Sequence, residues 1–466
     1  MNRKQLLILL AAVVATRLPF LWLGYGSDAD AWRVAHSASE LWHTGTYEPS
    51  RLPGYPLHEI ISSPLVALGG APLSNAGSLI ACILLLIVWR QLNDSGSAHP
   101  TLLLVCLAFS PFVWKNSTAT MDYLWSILAM VLSFRESLKG RSLVSGFWAG
   151  IATGFRPTNL VFLIPVTVMM ILRRDRPRNV AGFLLSTIGI SLVAFLPLLF
   201  TYGLSGWVSA TRDATADIAF MPFERLLFFG YRTLSSIGIV ASIVLSSLVL
   251  AGWKTLARLL KERDPTIVLS VAGVLTFLGL YWLYPLEREY LLPAFPFALL
   301  IVDRLASARA LSLFAICIVI AGFVNPDVIV HHGRMGTPGL NFHAGFVVED
   351  WEKRVSLLDL REDLGKLRLH ERSVVMTGGD TEIWFENPSF ERDTSAFWRS
   401  IGEVSVHQKD SPGTHFIQVL DSIELRRVRA AGFKVYYTAW NEEYLEKIAG
   451  YGMSGNAGAI KIEHHP

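Results

Sequence analysis

The sequence predicts a polytopic α-helical membrane protein of about eleven transmembrane helices, followed by a small α/β domain outside the membrane. Three observations predict it. Of 466 residues, 52% are hydrophobic and only 17% charged, with a mean hydropathy of +0.41. Soluble domains carry about 25% charge, and only lipid tolerates this much apolar surface. Long apolar runs stop near Asn325. The charge changes sign at the same place: residues 1–326 carry 25 Lys and Arg against 17 Asp and Glu, whereas residues 327–466 carry 16 against 21. A cytosolic enzyme and a disordered regulator are excluded. The net charge of +3 implies no nucleic-acid partner. Cys82, Cys106 and Cys317 fall inside apolar runs and read as small hydrophobes, not as a disulfide framework or a metal site.

The expected domains are a transmembrane part at 1–325, a Gly/Pro/His-rich linker at 326–346 and an α/β domain at 347–466. Eleven apolar runs can be read: 5–24, 64–89, 101–115, 118–134, 143–155, 158–172, 180–200, 235–252, 267–284, 291–303 and 310–325. Phe155-Arg156-Pro157 splits two of them, which predicts half-length or re-entrant segments. The first run also has the basic start and small residues of a secretory signal, but it continues through Leu18-Pro19-Phe20-Leu21-Trp22 without a clean cleavage site. Alternating the loops puts sixteen Lys and Arg on one side and eight on the other. The positive-inside rule then places the N-terminus in the cytoplasm and, with an odd span count, the C-terminal domain outside a prokaryotic plasma membrane.

Two outer loops, 25–63 and 201–234, exceed simple connections, and long ordered loops are usually functional. Ala35, Ala38, Leu41 and Trp42 recur at helical spacing, which predicts a helix lying in the interface plane. Just before it stand Asp28 and Asp30, in Gly26-Ser-Asp-Ala-Asp-Ala-Trp32. A partly desolvated carboxylate at the membrane surface can serve as a general base or bind a cation. The structural alternative is a helix N-cap.

Asp30, Ala38, Leu41-Trp42, Gly45, Tyr47 and Arg51-Leu-Pro-Gly-Tyr55-Pro-Leu-His58-Glu59 together resemble the first outer loop of the GT-C glycosyltransferases. The resemblance is to their polyprenyl-phosphate-sugar-dependent branch, which includes the protein O-mannosyltransferases and the aminoarabinose transferase. Two later segments support it. Gly150-Ile-Ala-Thr-Gly154-Phe-Arg156-Pro157 resembles the family turn G-L-A-x-G-x-x-[RK]-P, and Arg288-Glu-Tyr290-Leu-Leu-Pro293-Ala-Phe-Pro296 resembles R-Y-x-x-P-x-x-P. The resemblance covers about residues 1–325. It implies an acidic catalytic base after the first span, usually in an Asp-Glu pair. Here the pair is Asp30-Ala31 with Asp28 two residues earlier, so the choice between Asp28 and Asp30 stays open.

The chemistry agrees with that resemblance. Cleaving a sugar from polyprenyl phosphate leaves a phosphate that guanidinium groups stabilise best. Arg156 and Arg288, both at expected outer span ends, are the candidates, with snorkelling or a local ion pair to Glu287 and Glu289 as alternatives. Arg51, Tyr55, His58, Glu59, Asp122 and Tyr290 are further substrate-binding candidates; for Asp122 a helix N-terminal carboxylate is the simpler account. Arg17 is expected to snorkel. No cofactor or metal is expected. The expected partners are a polyprenyl-phosphate sugar donor, a lipid, glycan or protein acceptor, and membrane lipids.

Strand-like runs at 373–376, 415–420, 434–438 and 459–462 alternate with helix-like stretches at 355–369, 395–402, 422–431 and 441–450, which predicts a small α/β domain. Gly378-Gly379 reads as a plain turn. A secondary transporter or lipid flippase is the alternative function. It is disfavoured because no repeated halves are visible and the ionisable pair lies at an outer surface.

Overall fold

The computed structural model describes residues 3–93, 97–216, 222–285, 287–332, 335–367, 369, 372–378, 390–393, 395–401, 405–438 and 460–461. The chain divides into two compact units, one of residues 1–326 and 342–352, the other of 327–341 and 353–466.

The first unit is helical. Among the described residues, four helices are long and apolar enough to cross a bilayer: Arg3–Trp22, Pro56–Leu92, Pro177–Ala194 and Pro265–Leu283. The pair Arg225–Ser235 and Ile239–Ala251, bent by 92° at its break, would make a fifth. All eleven apolar runs contain helix, but several helices are short. Pro100–Phe109 has ten residues, about 15 Å at 1.5 Å per residue, and a hydrocarbon core is about 30 Å thick. The breaks have sequence causes. Ser110-Pro111 stops one helix and starts the next, with the Ser110 hydroxyl accepting from Val113 N–H. Arg156-Pro157 stops Ser142–Phe155 and opens a 3-10 turn at Pro157–Phe162, because a residue before proline is pushed out of helical geometry.

The outward surface is apolar: Leu68 is 73% exposed, Phe200 83% and Leu250 72%. Exposure of many large apolar side chains is costly in water and ordinary in lipid. Polar side chains turn inward instead. Asn75 Nδ2 donates to the carbonyls of Leu21 and Gly24 at 3.1 and 2.8 Å, and Thr120 Oγ1 donates to Asn75 Oδ1 at 3.0 Å. Arg17 does not snorkel. It is fully buried, stacked 4.0 Å from the Trp114 ring centre and bonded to Thr16 Oγ1 at 2.7 Å and to the Ala108 carbonyl.

Close helix packing explains part of the mid-sequence motif. Gly146, Gly150 and Gly154 repeat every four residues and face Pro177–Ala194. A Cβ on Gly146 would come 2.4 Å from the Phe183 carbonyl, and one on Gly154 2.6 Å from both Ala194 and Leu57. Small residues at this spacing let helix backbones approach.

In the stretch expected to be linker, strands β1 (Val324–His332) and β2 (Met335–Ala344) form a two-stranded sheet of their own. The helix Phe346–Lys366 follows. The second unit contains a six-stranded sheet of β3 (Ser373–Met376), β4 (Phe390–Arg392), β5 (Val406–Gln408), β6 (Ser411–Ile417), β7 (Lys434–Tyr437) and β8 (Ile460–Lys461), in the order β4-β5-β6-β3-β7-β8. β3 runs parallel to β6 and β7, and the β4-β5-β6 edge is antiparallel. Val374, Met376, Trp398, Ile417, Val428 and Phe433 form its core. Asp421 and Glu424 close a reciprocal capping box on the helix Ser422–Ala430. The three-residue strands β4 and β5 carry too little periodicity to be predicted. The expected helix at 441–450, and Gly379, lie outside the described residues.

Candidate active site

The segment after the first helix is a capped helix followed by a tight turn. The helix Ala29–Thr44 starts at Asp28, whose carboxylate accepts the Asp30 backbone N–H at 3.0 Å. Asp28 therefore occupies the N-cap, the alternative left open above. Ala35 and Ala38 are buried, Leu41 is partly buried and Trp42 is half-exposed, so the expected four-residue face is divided. Gly45, at φ +70°, ends the helix.

A turn then carries Arg51 back toward the helix start. Gly54 N–H donates to the Arg51 carbonyl at 2.8 Å. Gly54 has φ +96°, and a Cβ there would lie 2.5 Å from Leu198, so the position requires glycine twice over. Trp207 Nε1 donates to the Pro53 carbonyl at 2.8 Å and Thr201 Oγ1 to the Tyr47 carbonyl at 3.1 Å. The long helix begins at Pro56, so the loop ends at 55 and not at 63. Glu59 is buried, and among the described residues its carboxylate is hydrogen-bonded within the loop and not to an arginine. It accepts the Ser50 N–H at 2.8 Å and the Tyr47 hydroxyl, and so fastens the loop.

These constraints deliver a continuous line of charge. Asp30 takes Arg33 at 3.2 Å on Oδ1 and Arg51 Nε at 3.1 Å on Oδ2. Arg51 reaches on to Asp122 Oδ1 at 2.9 Å, and the other oxygen of Asp122 holds Arg156 at 2.7 Å. Arg156 also donates to the Tyr123 hydroxyl at 3.0 Å, and that hydroxyl lies 3.3 Å from Glu287 Oε2, which accepts its proton. Tyrosine rings line the path: Arg51 sits 4.0 Å from the centre of Tyr55, and Arg156 is 3.9 Å from Tyr123 and 5.1 Å from Tyr290. Cation–π contact gains strength where water is excluded, and Asp122 and Arg156 are both buried.

Most polar atoms here are satisfied, yet Arg51 Nη1 and His58 Nδ1 are buried without a hydrogen-bond partner among the described residues. An unpaired buried guanidinium N–H costs free energy unless something accepts it. The free N–H of Arg51 is thus a place where an anion's oxygen can be accepted. Glu287 is the adjustable group. Burial, then the negative charges of Asp28, Glu289 and Asp30, push its carboxyl up to about 7. Glu289 is held below its ordinary value, because the Lys115 ammonium at 2.8 Å outweighs burial.

Of the residues singled out from sequence, Asp30, Arg51, Tyr55, Asp122, Arg156 and Tyr290 come together, with Asp28 and His58 beside them. Arg288 stands outside the line: its guanidinium lies 5.3 Å from the Phe346 ring centre and 5.9 Å from that of Tyr231. Its neighbours Glu287 and Glu289 serve Tyr123 and Lys115 instead. Arg33, Tyr123 and Glu287 were not singled out as site residues. Adjacency to Asp122 and Arg288 was the only signal for the last two.

No protein-family model matches the chain, and no curated protein matches it. Two solved structures do. ArnT from Cupriavidus metallidurans bound to undecaprenyl phosphate is 10% identical with a TM-score of 0.59, the match covering 83% of this chain and 85% of that one. The same protein in the apo state gives a TM-score of 0.51 at 12% identity, covering 66% of this chain and only 61% of that chain. At this identity the likeness shows the fold alone.

Proposed function

We propose that this protein is an integral-membrane glycosyltransferase that moves a sugar from a polyprenyl-phosphate donor to a hydroxyl of a lipid, glycan or protein acceptor. The observation that carries the reading is the Asp30–Arg51–Asp122–Arg156 line, in which Arg51 keeps a buried N–H unpaired. A neighbour of the same fold bound to undecaprenyl phosphate supports it. The alternation of basic loops supports about eleven crossings, a cytoplasmic N-terminus and reaction at the outer face of a prokaryotic plasma membrane.

Arg51 and Arg156 hold the donor phosphate through paired N–H groups. An arriving phosphate competes with Asp30 for Arg51, which leaves the Asp30 carboxylate able to accept the proton of the acceptor hydroxyl. The hydroxyl oxygen then bonds to C1 of the sugar as the C1–O bond to phosphate breaks, inverting the configuration. The electron pair leaves on the phosphate, where the two guanidiniums stabilise it. Asp28 remains the second candidate base, and Arg288 a secondary contact for the phosphate. The positive charge comes from arginine, so the transfer step calls for no metal.

The test is sugar transfer by purified full-length protein in detergent, from a labelled polyprenyl-phosphate sugar to cell-envelope acceptors. Product without a sealed membrane supports transfer. Movement of lipid or solute only in sealed vesicles, with no product, would establish a transporter instead.

A further inference from the structure

The second unit holds a cluster unrelated to that chemistry. His407 and His415 stand directly opposite each other on the antiparallel strands β5 and β6. Cross-strand partners share a face of the sheet, and the two imidazole centres are 5.7 Å apart. Asp393 follows β4 and is fixed by its N–H, which donates to the Ser405 carbonyl at 2.9 Å. Its Oδ1 accepts the Ser395 N–H at 2.8 Å, and its Oδ2 lies 3.7 Å from His415 Nδ1. One ligand atom from each of Asp393, His407 and His415 falls within 4.8 Å of the others.

We propose that Asp393, His407 and His415 bind a divalent transition-metal ion of the zinc class. Zinc takes nitrogen and oxygen ligands at about 2.0–2.2 Å, which puts tetrahedral ligands roughly 3.5 Å apart, a small contraction from the spacing seen. Two imidazoles select such a metal over calcium or magnesium, which take oxygen. The surroundings fit a ligand set better than a plain polar patch. Glu391 Oε1 lies 3.0 Å from His407 Nε2. A carboxylate accepting that N–H fixes the tautomer and leaves Nδ1 with its lone pair. That Nδ1 is buried without a hydrogen-bond partner among the described residues. His415 is packed 4.8 Å from the Trp398 ring, and its Nδ1 lies 3.0 Å from the Ser405 hydroxyl. Three protein ligands leave a coordination position for water.

The experiment uses full-length protein stripped with chelator, loaded with Zn²⁺, passed through gel filtration and assayed for metal. A parallel sample takes Co²⁺, whose visible absorption reports its coordination. The sequence also carries His464-His465, so both are changed to Gln in the background. The expected result is one retained Zn²⁺ per chain and an intense cobalt spectrum, both lost in His407→Gln and Asp393→Asn. Glu391→Gln is expected to weaken binding by about 10–100-fold. Glu391 is exposed on the edge strand β4 and His407 is only partly buried, so these variants leave the core side chains of the sheet in place and remain informative if His415→Gln fails to fold. No retained metal in the background protein, or retention unchanged in His407→Gln, overturns the proposal.

Discussion

Arg156 meets Asp122 at 2.7 Å in a setting closed to solvent, and the pair joins the turn before Pro157 to the start of the helix Tyr123–Leu138. Neither residue is a surface charge left at a helix end. Removing one partner strands the other, which typically costs about 3–5 kcal/mol. Asp122→Ala should therefore lower the thermal midpoint sharply and abolish transfer. Arg156→Lys, which keeps a charge but loses the fork, should retain more fold than activity. Unfolding by intrinsic fluorescence alongside transfer rates separates the two effects.

The two aspartates near the first helix should behave differently. Asp28→Asn preserves an N-cap side chain, because Asn caps as well as Asp, so stability and most activity should survive. Asp28→Ala should cost about 1 kcal/mol. Asp30→Asn should cut transfer by roughly 10²–10⁴-fold, the usual scale for a lost general base, with folded yield intact. Full activity in Asp30→Asn would move the base to Asp28, and full activity in the double variant would remove both.

Gly154 and Gly189 offer a packing comparison. A Cβ at Gly154 meets Ala194 and Leu57 at 2.6 Å, whereas one at Gly189 meets nothing within 4 Å. Gly154→Ala should destabilise by about 1–3 kcal/mol through overpacking. It should also disturb activity, since Leu57 adjoins His58. Gly189→Ala should be neutral or stabilising by up to ~1 kcal/mol. Equal thermal midpoints for the two variants would contradict the packing described.

Glu287 gives a pH signature. Its carboxyl is raised from about 4.5 to about 7 by burial and by Asp28, Glu289 and Asp30. The folded protein then holds a proton that the unfolded chain has lost across that window. Stability from this group is complete below about 4.5 and declines as pH rises through about 7. Glu287→Gln should flatten that part of the pH profile of thermal unfolding, whereas Glu289→Gln, which removes one of the charges that raise Glu287, should move it to lower pH.

Composition and hydrophobic runs were enough to read a helical membrane protein, the change of character near Asn325 and the alternating elements beyond it, because the solvent around each segment dictates its residue types. The three motifs were enough to point at Asp30, Arg51, Tyr55, Arg156 and Tyr290, since phosphate chemistry restricts which residues can serve, whereas Asp122 read more simply as a helix N-terminal carboxylate. Helix lengths were only partly legible: the split at Arg156-Pro157 was expected, but the break at Ser110-Pro111 interrupts a run whose hydropathy is continuous. Partner choice was decided by tertiary structure alone. Arg51 and Asp122 are 71 residues apart and Arg156 and Asp122 34, and no spacing rule relates residues at such separations. The same holds for Arg288, which sits one residue from Glu287 yet faces other rings, and for His407 and His415, whose shared face exists only once β5 pairs with β6. Sequence fixes the chemistry each residue can perform; folding fixes which of those residues meet.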